Sequence, residues 1–397
     1  MAVGTARNVD KHSPAILLGQ GRYANPVPAW SQRAFRDNCV VRITSWIVTA
    51  AGAPMVEQSR DESPRDGEVL IAVAACGVCH TDLSFYYEGV ATRRPFPLTL
   101  GHEISGRVVA AGPGAETWID RLVIVPSVLP CGTCAACAAG RGQVCPTQVF
   151  PGSSVHGGFG SHILVPARGL CAVPDLGDRA RNPSALDLTA LAVVADAVST
   201  PYQAIVRSGT GPGTLAVWVG AGGLGSFGVQ ISAALGATVV AVDVDDERLA
   251  RAGAYGAALA LNSAGADARA LRDDLRRFGA ARGIPTWRTV IFETSGQPSG
   301  QRMAFGLIGH GTVLSVIGYT ATSIDVRLSN LMAYDAIAQG NWGCLPEHYP
   351  AIVELALAGR VAIEPFIDRR PMSTINEVFA GLRAGAARKR IVLLADR

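Results

Sequence analysis

The spacing of hydrophobic positions changes twice along the chain. From Trp46 to about Ala195, short apolar or alternating runs such as EVLIAVAAC and GSHILVPA are separated by Gly and Pro turns, which is typical of strands. From about Ser199 to Gly343, Val-rich runs such as LAVWVG and TVVAVDV alternate with helical stretches. This alternation predicts a parallel sheet with helices on both faces. The closing run RIVLLAD predicts a strand that rejoins the first region.

These changes predict an α/β protein with a divided first domain. Residues 1–42, with scattered Pro and Gly and little periodicity, are expected to form an N-terminal extension. Residues 43–198 and 345–397 are expected to form a β-rich domain, and residues 199–344 a doubly wound domain inserted into it. A chain of 397 residues usually needs more than one hydrophobic core, which agrees with two domains.

Composition and charge exclude several classes of partner. No apolar run approaches the ~20 residues of a membrane span, so we expect no membrane partner. The net charge of +3 is spread along the chain, which indicates no nucleic-acid partner. The start of the chain lacks the apolar core of a signal peptide, and the nine cysteines are an odd number, so we expect a cytoplasmic protein that acts on a small molecule.

A run of four cysteines carries the clearest chemical signal. Cys131, Cys134, Cys137 and Cys145 have the spacing C-x2-C-x2-C-x7-C. Disulfides would require an oxidising compartment, and an iron–sulfur cluster would suit the first three spacings but not the last gap. Four nearby thiolates suit a closed tetrahedral site, so we favour a structural zinc. The separate cysteines Cys39, Cys76, Cys171 and Cys344 are expected to pack as small core residues.

A second metal site is predicted from two separate motifs. Cys79 lies in GVCHTD directly after a predicted strand, and His102 lies in GHE. A thiolate and an imidazole from the carboxyl ends of neighbouring strands could hold a zinc ion that keeps an open position for substrate. Asp82 and Glu103 are near enough in sequence to orient a ligand or to lie just behind the metal.

A glycine-rich turn predicts the cofactor. VWVGAGGLGSFG places Gly220, Gly222 and Gly225 in G-x-G-x-x-G register between a strand and a helix, with Gly223 and Leu224 inside the turn. The next strand ends in Asp243, 18 residues after Gly225, where a carboxylate binds ribose hydroxyls and repels a 2′-phosphate. Residues 244–246 contain no Arg, so we expect NAD rather than NADP.

In these motifs and their order, residues 45 to 397 resemble the zinc-containing medium-chain alcohol dehydrogenases. The resemblance implies a GroES-like catalytic domain, a Rossmann cofactor domain, a homodimer or homotetramer, and two zinc ions per chain. It implies an NAD-dependent oxidation of an alcohol, in which zinc polarises the hydroxyl and nicotinamide accepts hydride. The residue roles that it implies are catalytic zinc binding by Cys79 and His102, substrate hydrogen bonding by Thr81, cofactor phosphate contacts by His80 and Arg390, and support of the zinc ligands by Asp82 and Glu103.

Two positions depart from the family's common pattern. Where many members have a third cysteine ligand, this chain has Asp196, in a segment that is otherwise all Leu, Ala and Val from residue 191 to 198. A buried carboxylate there would be costly unless it bound metal, so Asp196 is the expected third ligand. Where some members have a histidine that relays the proton, this chain has Ser84.

The substrate is suggested by a closer resemblance. The strings PGSSVHGGFGSH, RLSNLMAYDA and NWGC are similar to the branch of 6-hydroxycyclohex-1-ene-1-carbonyl-CoA dehydrogenases. That branch implies a cyclic allylic alcohol on an acyl-CoA thioester, for which Arg93 and Arg94 are candidate phosphate contacts. The alternatives are a free secondary alcohol, zinc-assisted reduction of a conjugated enone or enoyl thioester, and a non-enzymatic metal-binding module built on the four cysteines.

Overall fold

The computed structural model describes residues 40–396. Nearly all of the expected N-terminal extension, including Cys39, lies outside the described residues. The first part of the described chain is rich in strands. Its elements are β1 (Val41–Ile47), β2 (Val56–Glu62), β3 (Glu68–Gly77), α1 (His80–Tyr87), β4 (Glu103–Ala111), β5 (Leu122–Val125), α2 (Ala135–Ala138), β6 (His162–Pro166) and β7 (Cys171–Ala172), with 3₁₀ turns at Glu116–Trp118, Gly142–Val144 and Ala190–Ala195.

Strands and helices alternate in the second part, and the chain then returns to the first sheet. The alternating elements are α3 (Ser199–Arg207), β8 (Leu215–Val219), α4 (Gly225–Ala234), β9 (Thr238–Asp243), α5 (Asp246–Ala254), β10 (Leu259–Asn262), α6 (Ala268–Ala280), β11 (Thr289–Glu293), α7 (Pro298–Gly306), β12 (Val313–Val316), α8 (Ser329–Tyr334) and β13 (Ile337–Gly340). The returning elements are α9 (Tyr349–Leu357), β14 (Ile367–Pro371), α10 (Ile375–Arg383) and β15 (Arg390–Leu394), with 3₁₀ turns at Thr286–Arg288, Pro346–His348, Glu364–Phe366 and Met372–Thr374.

The strands of the first part form a seven-stranded sheet that the end of the chain completes. Its order is β14-β15-β3-β4-β5-β7. β15 pairs with the end of β3, and β6 pairs with the beginning of β3 on the same side. The contacts among β15, β3, β4, β5, β6 and β7 are antiparallel, whereas β14 and β15 are parallel. The closing run RIVLLAD therefore supplies β15, which pairs with β3, as its apolar pattern indicated. β1 and β2 form a separate hairpin.

The second part forms a six-stranded parallel sheet in the order β10-β9-β8-β11-β12-β13. β8, at its centre, is buried along its whole length. Leu215, Val217 and Val219 pack in one core cluster, and Ala216 and Trp218 pack in another on the opposite face. Helices cover both faces of this sheet, which explains why β8 is continuously apolar instead of alternating. The predicted α/β fold class, with a β-rich domain and a Rossmann-type domain, is confirmed.

A deep cleft of about 920 Å³ lies between the two sheets. Residues from both parts of the chain line it, including Cys79 and Phe85 from the first and Gly222 and Asp243 from the second. A cleft of this size between domains is a common location for cofactor and substrate. Within residues 40–396, every helix is either too short or too polar to cross a bilayer.

Candidate active site

Four potential metal ligands converge at the bottom of the cleft. Ligand atoms of Cys79, His102, Glu103 and Asp196 all lie within 4.8 Å of one another. Cys79 follows β3 and precedes α1, His102 directly precedes β4, and Asp196 ends the 3₁₀ turn at Ala190–Ala195. Three segments that are distant in sequence therefore meet at one point.

The expectation that Cys79 and His102 both come from carboxyl ends of strands is wrong. β3 and β4 are antiparallel, with Gly77 opposite Glu103. The end of β3 and the start of β4 therefore lie at the same edge of the sheet. The two ligands are brought together by strand direction, which the apolar pattern of the sequence does not reveal.

The geometry of three of these side chains fits a zinc ion. Asp196 Oδ2 lies 3.6 Å from Cys79 Sγ and 3.5 Å from His102 Nε2. Zinc bound tetrahedrally at ~2.3 Å to sulfur and ~2.0–2.1 Å to nitrogen or oxygen separates its ligands by roughly 3.3–3.6 Å. The thiol, imidazole and carboxylate that the sequence singled out thus have the spacing and the chemistry of a three-ligand zinc site.

Asp82 supports two of these ligands from behind. Its Oδ2 accepts a hydrogen bond from the backbone N–H of Cys79 at 2.9 Å, and its Oδ1 accepts one from Gly101 N–H at 3.1 Å. The same Oδ1 lies 3.3 Å from His102 Nδ1, so it is next to the imidazole nitrogen that faces away from Asp196. Burial alone would lower the pKa of His102, but the carboxylates of Asp82 and Asp196 raise it well above its ordinary value.

Glu103 forms a buried ion pair with Arg390. Arg390 Nε donates to Glu103 Oε2 at 2.7 Å, and Arg390 Nη2 donates to Oε1. Burial raises the pKa of Glu103 to about 7, and the charge of Arg390 opposes this shift. Arg390 Nη2 also lies 3.9 Å from Asp196 Oδ2. The pair therefore places a fixed positive charge beside the three-ligand site, at the end of β15.

Arg390 also reaches the glycine-rich turn. A β-carbon added at Gly223 would lie 3.1 Å from Arg390 Nη1, so this nitrogen faces the turn while the other two bind Glu103. The resemblance assigned Arg390 to the cofactor pyrophosphate. The structure places Arg390 between the predicted metal site and the predicted phosphate site.

The four-cysteine lobe is compact and suits a second zinc. Cys134 Sγ lies 3.6 Å from Cys137 Sγ and 3.7 Å from Cys145 Sγ, and Cys131 Sγ lies 3.9 Å from Cys137 Sγ. A tetrahedron with zinc–sulfur bonds of ~2.3 Å has edges of roughly 3.8 Å. Backbone N–H groups of Thr133 and Cys134 donate to Cys131 Sγ, and such bonds, with that of Thr133 the strongest, lower the pKa of the Cys131 thiol to about 5. Burial opposes, but backbone and Thr147 hydrogen bonds together lower, the pKa of the Cys145 thiol, whereas burial raises the pKa of the Cys137 thiol to about 11. Cys131 and Cys145 thus favour the thiolate, the form that binds metal.

The remaining described cysteines are buried and separate from both metal groups. Cys76 and Cys344 have no exposed surface, and Cys171 is 5% exposed. Burial raises the pKa of each of these thiols. They are packed as small core residues, in agreement with the expectation from the sequence.

The glycine-rich turn has the geometry that its sequence predicts. Gly220 has φ of 95°, a conformation that favours glycine. A β-carbon at Gly225 would overlap the carbonyl oxygen of Gly220, so only glycine lets α4 begin this close to β8. Gly222, Gly223 and Leu224, which lie between Gly220 and Gly225 in the sequence, line the cleft. The start of α4 faces the cleft, where its backbone amides can bind a pyrophosphate.

The carboxylate of Asp243 braces this turn. Its Oδ2 accepts a hydrogen bond from Ala221 N–H at 2.7 Å, and its Oδ1 accepts from Val244 N–H at 2.8 Å. Arg248 Nη1 lies 3.8 Å from Asp243 Oδ1 and also lines the cleft. Arg248 lies on the first turn of α5, just beyond the segment 244–246 that contains no Arg, so that segment alone did not indicate an arginine beside Asp243.

Residues of α1 line the floor of the cleft. Thr81 Oγ1 lies 3.8 Å from Cys79 Sγ, next to the predicted metal position. His80 is exposed at the cleft, and Ser84, one turn further along α1, is buried but also lines it. Phe150 and Trp342, which no sequence motif singled out, form a wall beside His102. Their ring centroids lie 5.6 Å apart, and that of Phe150 lies 5.1 Å from that of His102.

Comparisons with known proteins agree with this geometry. Residues 65–175 match the alcohol dehydrogenase GroES-like domain family, and residues 223–358 match the zinc-binding dehydrogenase family. An alcohol dehydrogenase of Geobacillus stearothermophilus is 30% identical over 331 residues, which are 83% of this chain and 91% of that relative. The chain belongs to the zinc-type alcohol dehydrogenase family.

Solved structures show the same fold. The alcohol dehydrogenase from the hyperthermophilic archaeon Aeropyrum pernix is 27% identical and superposes with a TM-score of 0.75, covering 89% of this chain and all of that one. Acetophenone reductase from Geotrichum candidum, solved in complex with NAD, is 24% identical with a TM-score of 0.75 and covers 89% of this chain and 97% of that one. The protein is a zinc-dependent oxidoreductase of the alcohol dehydrogenase type.

Proposed function

We propose that this dehydrogenase oxidises a cyclic allylic alcohol carried on a coenzyme A thioester, of the 6-hydroxycyclohex-1-ene-1-carbonyl-CoA type. The observation that carries the proposal is a pair of exposed arginines, Arg93 and Arg94, on the loop between α1 and β4. Arg93 lines the cleft. The loop therefore offers positive charge where a phosphate-bearing substrate tail would leave the cleft.

The charge of this loop is not neutralised by acidic side chains. Arg93 Nη1 donates only to backbone carbonyls, those of Pro146 at 3.4 Å and Gln148 at 3.3 Å. Within the described chain, no carboxylate forms an ion pair with Arg93 or Arg94. Burial, and then the charges of Arg60 and Arg94, lower the pKa of His156 to about 4. The positive charges of Arg93 and Arg94 thus lie at and next to the cleft, and arginine suits phosphate recognition.

The inner part of the cleft favours an apolar ring. Phe150 and Trp342 present tilted aromatic faces beside His102, and Phe85 and Val128 line the same cleft. Trp342 Nε1 donates to Gln148 Oε1 at 3.2 Å, which fixes the orientation of the indole. A six-membered ring with one double bond would pack on these faces while its hydroxyl points toward Cys79 and Thr81.

The residues of the chain divide the work of alcohol oxidation. Cys79, His102 and Asp196 would hold the catalytic zinc, which supplies Lewis-acid polarisation of the substrate oxygen when it is bound. Thr81 would accept the hydrogen bond of the substrate hydroxyl and pass its proton toward solvent, and NAD, when bound, would supply the acceptor for the hydride of the carbinol carbon. Ser84 lies buried one turn beyond Thr81 and offers a hydroxyl on the proton's path. His80 and Arg390 are placed to bind the cofactor phosphates, because both line the cleft near the glycine-rich turn.

The proposal is tested by comparing thioesters with free alcohols. NAD reduction should be efficient with the CoA thioester of the cyclic allylic alcohol and weak with the free acid or with unsubstituted alicyclic alcohols. The double variant R93A/R94A should lower kcat/KM for the thioester by roughly 10-fold or more, because two charge-assisted phosphate contacts are lost, and should leave the slow reaction with free alcohols unchanged. High salt should reproduce part of this loss.

The matched control is R276A, which removes an exposed arginine on α6 that pairs only with Asp273. This variant should keep the wild-type kcat/KM for both substrates. Equal kcat/KM values for thioester and free alcohol in the wild-type enzyme would refute the acyl-CoA assignment, as would an equal loss on both substrates in R93A/R94A.

We also propose that two copies of the chain associate through the outer edge of the parallel sheet. β13 is the last strand on that side, and Ile337 on it is 59% exposed. Leu328 and Met332, which come just before it in the chain, are 68% and 78% exposed. An uncovered edge strand with adjacent apolar side chains can be covered by the same strand of a second copy.

A further inference from the structure

The two oxygens of Asp196 have different partners. Oδ2 faces Cys79 Sγ, His102 Nε2 and Arg390 Nη2, at 3.6, 3.5 and 3.9 Å. Oδ1 instead accepts a hydrogen bond from Thr200 Oγ1 at 2.5 Å. Only Oδ2 is therefore turned toward the predicted metal position.

Thr200 is held rigidly where it makes this bond. It is 5% exposed and lies on the first turn of α3, four residues after Asp196. The backbone N–H of Thr200 donates to the carbonyl oxygen of Asp196 at 2.8 Å, so backbone and side chain bind the same residue. Because α3 fixes the backbone, the hydroxyl has little freedom to leave the carboxylate.

We propose that Thr200 is a positioning residue that makes Asp196 a one-oxygen zinc ligand. A cysteine at this position would offer a single sulfur atom, whereas an aspartate offers two oxygens and can bind a metal through one or both. Binding through both would occupy the position that a catalytic zinc keeps open for substrate. Because Thr200 donates a hydrogen bond to Oδ1, only Oδ2 faces the metal position, and the aspartate would bind the metal through one atom, as a cysteine does. This inference does not depend on which alcohol is the substrate.

The test measures metal binding in the absence of substrate and cofactor. In T200V the hydroxyl is replaced by a methyl group of similar size, so the carboxylate loses its partner while the packing is kept. The affinity of the catalytic site for zinc, measured by chelator competition, should fall about 10- to 100-fold. The cobalt-substituted variant should show weaker visible absorption, because binding through both oxygens raises the coordination number. T200S, which keeps a hydroxyl, should restore both properties.

Two controls separate positioning from a general loss of structure. S199A removes a neighbouring buried hydroxyl that bonds to Tyr349 and to backbone carbonyls but not to the Asp196 carboxylate, and it should keep wild-type zinc affinity at the catalytic site. The four-cysteine zinc should stay bound in every variant as a measure of folding. If the valine disturbs the packing, T200A repeats the test without added bulk.

Unchanged zinc affinity and an unchanged cobalt spectrum in T200V or T200A would overturn the proposal. An equal loss of affinity in S199A, or failure of T200S to restore binding, would also overturn it, because Thr200 would then support only the fold.

Discussion

His162, at the start of β6, shows how one buried side chain links stability to pH. It is 7% exposed, and its Nδ1 lies 2.9 Å from Ser161 Oγ. Burial lowers its pKa from 6.5 to about 4. Between these two values the unfolded chain binds a proton that the folded chain does not, so the free energy of unfolding rises with pH in this window and is constant above it with respect to His162.

We therefore predict that acid destabilises the protein partly through His162. The two pKa values imply that His162 lowers the free energy of unfolding by about 2 kcal/mol at about pH 5 relative to neutral pH. H162Q, which cannot be protonated, should lose about that much less stability between neutral pH and about pH 5, as measured by urea unfolding. Loss of zinc affects wild type and variant alike, so the comparison isolates His162. H310Q, at an exposed position, should behave as wild type, and equal acid sensitivity of H162Q and wild type would contradict the linkage.

How well the sequence predicted individual site residues depended on their separation along the chain. The four cysteines of the lobe lie within 15 residues, so their spacing alone indicated that they bind one metal ion together. The Glu103–Arg390 ion pair joins residues 287 positions apart, and nothing in the sequence links them. Asp196 could be selected because a carboxylate inside an apolar segment needs a partner. The hydrogen bond from Thr200 to Asp196 could not be predicted, because a threonine on a helix can make many other contacts.

At the scale of elements, the turn from β8 to α4 assigns different tasks to its glycines. A β-carbon at Gly225 would overlap the carbonyl oxygen of Gly220 and lie close to Thr294. A β-carbon at Gly222 would meet only Arg248, at 3.8 Å or more, so the protein without cofactor has room for a methyl group there. Gly225 is thus required for the fold of the turn, whereas the space at Gly222 suits the close approach of a pyrophosphate.

This difference predicts different effects of two alanine substitutions on stability. G225A should shift α4 away from β8, lower the thermal unfolding temperature by several degrees and weaken NADH binding. G222A should unfold at the wild-type temperature but bind NADH at least roughly 10-fold more weakly, because its methyl group would occupy the space of the pyrophosphate. Calorimetry for unfolding and fluorescence titration for NADH check both. Wild-type NADH affinity in G222A would remove Gly222 from the phosphate site.

The pairing of elements was less predictable than their existence. The apolar runs of β3 and β8 were visible in the sequence because both faces of each strand are buried. The same absence of alternation hid the direction in which β3 pairs with β4. Alternating apolar and polar residues are typical of antiparallel strands, and β3 lacks this alternation because both of its faces are buried. The antiparallel pairing that brings Cys79 and His102 together is therefore seen only in the structure.

At the scale of the whole molecule, the cleft depends on contacts between the two sheets that no single motif encodes. The largest core cluster combines Ala75 and Ile124 of the first sheet, the 3₁₀ turn at Ala190–Ala195, and Trp218 of the second sheet. Asp196 directly follows that turn, so the packing between the two sheets also fixes Asp196 relative to Cys79 and His102. The metal site and the interface between the two parts are therefore a single unit of structure.

The proposed association of two copies gives a prediction at the same scale. Leu328, Met332 and Ile337 are exposed on β13 and the residues before it, and burying these side chains against a second copy would release water from apolar surface. M332K/I337K should place two like charges at that surface and shift the protein from dimer toward monomer in analytical ultracentrifugation. The cleft is lined by other residues, so the monomer should still bind zinc and NADH. W287K changes another exposed apolar residue, 63% exposed beside β11, and should leave the oligomeric state unchanged. A wild-type monomer at micromolar concentration, or a dimer that survives both lysines, would place any interface elsewhere.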